Sequence, residues 1–307
     1  MYEGAPWCLG RYESFEINKP QLINLLDNDY VIWKDESGTL NALDNMCPHA
    51  GANLAKGGYI IDFNDKSCLA CPYHGNKVQF LGDGKVIIEG KISSQAIQAV
   101  LPLQVVDGLV WTYGLRWSER GGKLVSEAIK PRLPIPDYSN IPFLPKSDSQ
   151  LHLSKLNQIY SRSGSINGNV DRFIWNIHDA EHFAGTHRDT MLAKEVKIDN
   201  FTQNENQLSW QLITYKRNDK NAKRNRMNLL IDEEVVQSFN TFLPGLAFVT
   251  VDFKGQFLVI VLSLYPESPT KAKWCVNAYM YSEFTWWQKL FKLHEIGNKI
   301  RDRLLFE

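Results

Sequence analysis

At 307 residues the chain is long enough for two cores of ordinary size, and 44% apolar with 22% charged residues is the composition of a soluble globular protein. Lysine plus arginine and aspartate plus glutamate number 34 each, so the formal charge is zero, which argues against nucleic acid as a main partner because phosphate contacts need a basic surplus. No charged stretch followed by an apolar one opens the chain, and its longest apolar runs, such as 257–264, are far shorter than a membrane span. The expectation is a cytoplasmic protein without a transmembrane segment.

In chain order, Tyr30–Trp33 and Leu40–Leu43 read as strands around a turn at Glu36-Ser37-Gly38, and Gln21–Leu26 as one or two helical turns. Residues 51–70 read as a loop and hairpin, with Gly57-Gly58 and Asn64-Asp65 as turn signals. Further short strands follow at 77–80, 85–88 and 109–113. Five prolines between Lys130 and Lys146 favour extended chain. Beyond about residue 151 the pattern changes to a helical segment at 169–183 and then to long alternating strands at 207–215, 235–244, 247–253, 257–265 and 274–281. A second helical segment, 285–306, closes the chain, its Trp286, Trp287 and Leu290 reading as core. These elements predict an α+β protein. A small antiparallel β domain (1–118) is followed by a Pro-rich linker (119–150) and a domain with a helix and a large antiparallel sheet (151–307).

Two motifs carry chemistry in the first domain. Cys47-Pro48-His49-Ala50-Gly51 and Cys71-Pro72-Tyr73-His74-Gly75 each pair a thiol with an imidazole in a short loop that also holds Pro and Gly. A Rieske [2Fe–2S] centre needs this set, two thiolates on one iron and two imidazoles on the other. Two other readings stand beside it. Cys68 and Cys71 with Cys47 and one histidine make a Cys3His set that suits structural zinc, as in a zinc-stabilised ligand-binding module. A disulfide framework fits less well with five cysteines, an odd count. Cys8, Cys68 and Cys275 read as buried thiols.

The second constellation is Asp179-x2-His182-x4-His187. Five residues separate the histidines, roughly 140° around a continued helix, so His187 reaches the side of His182 only if the helix stops, and Gly185 offers a stop. The pair His178 and His182, at i and i+4, shares one helical face and is the rival ligand pair.

Taken in this order, and together with the Trp111-Thr112-Tyr113-Gly114 strand and Leu133-Pro134-Ile135-Pro136 in the linker, the two motifs resemble the large (alpha) subunit of Rieske non-haem iron oxygenases, over nearly the whole chain. The resemblance implies a [2Fe–2S] cluster on Cys47, His49, Cys71 and His74. It also implies a mononuclear Fe(II) on His182 and His187, completed by a carboxylate, with open positions for O2. Asp179 matches the family's electron bridge, which links an iron-bound histidine to a cluster histidine of the neighbouring subunit in a ring of three. The third iron ligand matches a position at or just beyond Glu307, with Glu307 and Asp302 as the candidates within the chain, whose ending at Leu304-Leu305-Phe306-Glu307 reads as cut.

The activity implied is mono- or dioxygenation, hydroxylating or demethylating an apolar small molecule. Its electrons would come from NAD(P)H through a separate ferredoxin or flavin reductase, since no flavin or dinucleotide motif is present. A non-catalytic Rieske electron-transfer protein with an incomplete iron triad is the alternative. Asn76 follows Gly75 where many oxygenases have Trp and respiratory Rieske proteins have a hydroxyl donor, and no extra loop cysteine is present. This implies a reduction potential toward the low end of the Rieske range, about −150 mV. The basic run 216–226 reads as a solvated loop, or as a docking site for an acidic electron donor.

Overall fold

The computed structural model describes residues 3–75, 77–120, 123–138, 141, 153, 156–185, 193–216, 234–253 and 256–281. Two compact units divide the chain, residues 1–135 with 265–273, and residues 136–264 with 274–307.

The first unit is built from thirteen short strands: β1 (Trp7–Arg11), β2 (Gln21–Leu25), β3 (Asn28–Lys34), β4 (Leu40–Asp44), β5 (Tyr59–Phe63), β6 (Lys66–Ala70), β7 (Val78–Leu81), β8 (Lys85–Ile88), β9 (Lys91–Ile97), β10 (Gln104–Val106), β11 (Leu109–Thr112), β12 (Leu115–Arg120) and β13 (Lys123–Ala128). They pair as four antiparallel sheets, ordered β2-β3-β4, β5-β6-β7-β8-β9, β1-β11-β10 and β12-β13.

Gln21–Leu26, expected to be helical, is instead the strand β2, paired residue by residue with β3 from Gln21↔Ile32 to Leu25↔Asn28. Leu26 and Asp27 close that hairpin in the left-handed region, at φ 54° and 63°. The buried β3, which includes Tyr30, Val31 and Ile32 at 0% exposure, offers β2 a ladder that a lone helical turn cannot match. The backbone N–H groups of Leu26 and Asp27 donate to the carbonyls of Pro266 and Glu267, which ties residues 265–273 to this unit.

Val31, Trp33, Leu43, Leu54, Leu69 and Phe80 form the centre of this unit's main apolar cluster, and Cys47 and Cys71 belong to the same cluster. Each large side chain buried there contributes about 1.5–3 kcal/mol.

The second unit holds β14 (Asn157–Asn167), α1 (Val170–His178), α2 (Ala180–Gly185), β15 (Ala193–Gln203), β16 (Gln207–Lys216), β17 (Glu234–Phe242), β18 (Leu246–Phe253) and, apart from their ends within 265–273, β19 (Gln256–Ser268) and β20 (Lys271–Tyr281). Among the described residues its strands form one sheet ordered β14-β20-β19-β18-β17-β16-β15. The expected strands from 207 onward are present, and the two outer ones, β14 and β15, are additions. The expected helix 169–183 is two helices. Asn169 caps α1 by accepting from the Arg172 N–H at 3.0 Å, and Asp179, in extended conformation, separates α1 from α2. Ile177 and Ala180 lie against Trp210, Leu212 and Phe239 of the sheet. The closing helix expected at 285–306 lies outside the described residues.

The β5–β6 hairpin carries the test of this fold reading. Asn64 and Asp65 form its two-residue loop at φ 49° and 60°, the twist that a tight hairpin favours and that glycine adopts without cost. Asp65→Gly is expected to raise the denaturant midpoint, by at most ~1 kcal/mol in stability. A lowered midpoint would contradict the assigned turn.

Candidate metal centres

The candidate cluster ligands lie on two loops whose backbones are tied down from behind. In the first, Cys47 and Ala52 close on each other: Cys47 N–H donates to the Ala52 carbonyl at 2.9 Å, and Gly51 N–H to the Cys47 carbonyl at 2.8 Å. Gly51 takes φ 69°, which a side chain disfavours. Asn45 and Gln98, 3% and 4% exposed, brace this loop. The Asn45 side-chain oxygen accepts from Ala55 N–H at 2.7 Å, and Gln98 Nε2 donates to the carbonyls of Asp44 and Met46 at 2.7 and 2.9 Å.

In the second loop Cys71 N–H donates to the Val78 carbonyl at 3.1 Å, and the N–H groups of Lys77 and Val78 converge on the His74 carbonyl at 2.7 and 2.8 Å. Gln79, 5% exposed, donates from Nε2 to the Gly75 carbonyl at 2.7 Å. Sequence reasoning missed Asn45, Gln79 and Gln98. Asn45 and Gln79 stand near the two motifs and Gln98 well beyond them, and a buried amide that braces a loop has no signature in one sequence.

The structure pairs the candidate ligands of this unit thiol with thiol and imidazole with imidazole. The thiols of Cys47 and Cys71 are hydrogen-bond neighbours, each 1% exposed, and both are free of disulfides. His49 and His74 are exposed, with ring centroids 5.0 Å apart and planes at 77°. Burial pushes the Cys47 thiol above its ordinary pKa, with Cys71 adding to the rise, while the backbone N–H groups of His49 and Ala50, which reach its sulfur, pull it back. Those same N–H groups favour a thiolate once a metal binds.

Two buried thiols beside two exposed imidazoles fit a binuclear cluster with two protein ligands on each iron. The zinc set fails on Cys68. That side chain packs with Leu81 and Ile87 in a separate cluster, while its neighbour Leu69 joins the core of Cys47 and Cys71. Successive strand residues face opposite ways, so Cys68 points away from the loops. Its thiol is pushed up to about 11, chiefly by burial. Among the described residues no three His, Cys, Asp or Glu side chains converge as for a single ion. Cys8 is buried as expected, and Cys275 is partly exposed.

In the second unit Asp179 is the joint between α1 and α2. Its Oδ1 accepts from the N–H groups of Glu181 and His182, both at 3.2 Å, capping the helix that carries His182. The rival pair, His178 and His182, is divided by the break at Asp179, so the two do not share one continuous helix. His178 Nδ1 also accepts from Trp210 Nε1 at 2.7 Å. Tryptophan can only donate, so the neutral His178 ring carries its proton on Nε2, and neither nitrogen offers a lone pair to a metal. His187, Asp302 and Glu307 lie outside the described residues, as do Asn76 and the basic residues 217–226.

Residues 6–96 match the family model for the Rieske [2Fe–2S] domain. The chain is similar to a cholesterol 7-desaturase of Ciona intestinalis, 28% identical over 193 residues, covering 55% of this chain and 37% of that protein. It is also similar to the oxygenase component of a 3-ketosteroid-9-alpha-monooxygenase of Mycolicibacterium smegmatis, 37% identical over 78 residues, covering 25% of this chain and 18% of that protein. The matches thus span about a third or less of these relatives' lengths. Among solved structures, dicamba monooxygenase bound to dicamba shares the fold with TM-score 0.71 at 14% identity, over 99% of this chain and 84% of that one.

The first unit therefore contains a Rieske domain. With the second unit following it, the chain is similar to Rieske oxygenase components in sequence and shares the fold of a solved one. No helix among the described residues is long and apolar enough to cross a membrane.

Burial lowers the His178 pKa from 6.5 to about 4. As pH falls the unfolded chain therefore takes up this proton first. The stability that His178 contributes is complete above pH 6.5, is lost as pH drops from 6.5 toward 4, and stays flat below. Across that window the thermal midpoint of the wild type is expected to fall more steeply than that of His178→Asn, which cannot titrate. Equal slopes would show that His178 is not held neutral.

Proposed function

We propose that this chain is the oxygenase component of a Rieske non-haem iron system, hydroxylating or demethylating an apolar small molecule with O2 and electrons that originate in NAD(P)H. The observation that carries this reading is the pairing, in one chain, of an electron-entry site with a downstream carboxylate joint. The entry site has two buried thiols and two exposed imidazoles, and at the joint Asp179 caps the helix of His182.

Cys47, His49, Cys71 and His74 hold the [2Fe–2S] cluster in this proposal, and His182 and His187 hold Fe(II) together with a carboxylate supplied by Glu307, Asp302 or a residue beyond them. When bound, the cluster supplies one-electron transfer and the ferrous ion supplies O2 activation. The residues do the rest. Leu54, Leu69 and Phe80 keep solvent from the thiolates, since all three are 0% exposed. His49 and His74 present ring edges at the surface, where an electron donor such as a ferredoxin or flavin reductase can approach. Asp179 is exposed and uses Oδ1 for the cap, which leaves its second oxygen to accept an imidazole N–H from a cluster histidine of a neighbouring subunit in a homotrimer.

Reduced protein, mixed with O2 and a panel of apolar compounds that includes a 3-ketosteroid and dicamba, tests the proposal. At least one compound is expected to speed reoxidation of the cluster and to appear oxygenated. Asp179→Asn is expected to slow that step by about 10–100-fold with the cluster spectrum unchanged. Reoxidation indifferent to every compound and to Asp179 would mark the chain as an electron carrier instead.

A further inference from the structure

The helix joint has little within itself to set its geometry. α2 is six residues long, too short to hold its own direction. Asp179 breaks the hydrogen-bond ladder that would otherwise align α2 with α1, with φ −82° and ψ 94°. The Asp179 cap fixes the start of α2 but not the angle at which it leaves α1.

Two neighbours bear on that angle: β15, against which α2 lies, and Trp210 of β16, which holds the joint itself. The residues on both sides of Asp179 are seated on Trp210. His178, the last residue of α1, accepts its indole N–H at 2.7 Å with ring centroids 5.9 Å apart. Ala180, the first residue of α2, packs in the cluster formed by Trp210, Leu212 and Phe239. Trp210 itself cannot shift easily. It lies on β16, paired on both sides, and it stacks on Phe239 of β17 at 4.4 Å and 15° between planes, directly across the register Trp210↔Phe239.

We infer that Trp210 and His178 form a latch that fixes the joint at Asp179, and through it the direction in which His182 faces, making the two positioning residues for the proposed mononuclear iron site. The inference rests on the reading under Proposed function and adds a residue from the sheet to a site otherwise built from helices and closing segments. The bond is directional, a single N–H donor meeting a single lone pair, so it sets the rotation of the His178 ring and with it the last turn of α1. It also removes His178 from competition for the metal. A histidine four residues before His182 would otherwise offer a third imidazole to the same ion. The latch assigns His178 to the sheet and leaves His182 to the iron.

The test compares wild type, Trp210→Phe, His178→Phe, the double variant and His178→Asn, all as the full chain with the cluster loaded. Phenylalanine at 210 keeps the ring and loses the donor. Asparagine at 178 places an amide oxygen near the position of Nδ1 and keeps an acceptor. Anaerobic ferrous iron titration gives the affinity of the second site, and EPR of its nitric oxide adduct gives the ligand geometry. The EPR signal of the reduced cluster serves as an internal control for folding of the other unit.

Trp210→Phe and His178→Phe are each expected to weaken ferrous binding by about 10–100-fold and to change the shape of the adduct signal. The double variant is expected to be no worse than either single one, since both remove the same bond. His178→Asn is expected to recover most of the affinity and the wild-type line shape. Wild-type affinity and line shape in Trp210→Phe and His178→Phe, with only thermal stability lowered, would overturn the latch and leave an ordinary buried hydrogen bond. A wild-type chain that shows the full cluster signal yet binds no further iron would overturn the oxygenase reading itself, a result distinct from failure of the latch alone.

Discussion

The structure turns on a division of polarity across two loops. Each loop enters the apolar core at its cysteine and leaves it at its histidine, so Cys47 and Cys71 sit at 1% exposure while His49 and His74 meet solvent. Burying a thiolate alone is costly, and the fold offsets that cost locally with the backbone N–H groups of His49 and Ala50 at the Cys47 sulfur. The sheets around the loops serve the same division. β3 and β4 bring Val31, Trp33 and Leu43 beneath the first loop, and β6 and β7 bring Leu69 and Phe80 beneath the second. Gln79 and Gln98 then spend buried amides on loop carbonyls, where apolar side chains would leave those carbonyls unsatisfied.

The motifs were legible in the sequence because ligand chemistry restricts residue type and spacing together. Asn64-Asp65 was legible for a related reason, as few residues tolerate two successive left-handed positions. Gln21–Leu26 misled because a six-residue apolar pattern is ambiguous, and its state is decided by the neighbouring strand it pairs with. The zinc alternative could not be settled from spacing, since Cys68 and Cys71 stand at a permitted interval. Strand alternation on β6 turns Cys68 to the opposite side. The outer strands β14 and β15 lacked a signal because edge strands expose both polar and apolar residues, with Ile198 and Phe201 of β15 at 52% and 60% exposure.

In the second unit, spacing places His178 and His182 on one helical face, and two features oppose that pair, the break at Asp179 and the hydrogen bond from Trp210, 32 residues away. A long-range hydrogen bond to a sheet residue leaves no local trace. The break at Asp179 is better foreshadowed, since aspartate is a preferred helix cap and a poor helix interior residue. One side chain thus ends the register of the rival pair, caps the helix of His182 and carries the carboxylate proposed to pass electrons.

In the proposed function one chain carries both an electron-storing cluster and a separate catalytic iron. Iron and acid-labile sulfide, measured per chain on protein prepared without oxygen, test it most directly. The account predicts about three irons and two sulfides per chain, two of the irons belonging to the cluster. Two irons with two sulfides would contradict it, leaving an intact Rieske centre on a chain without a catalytic metal.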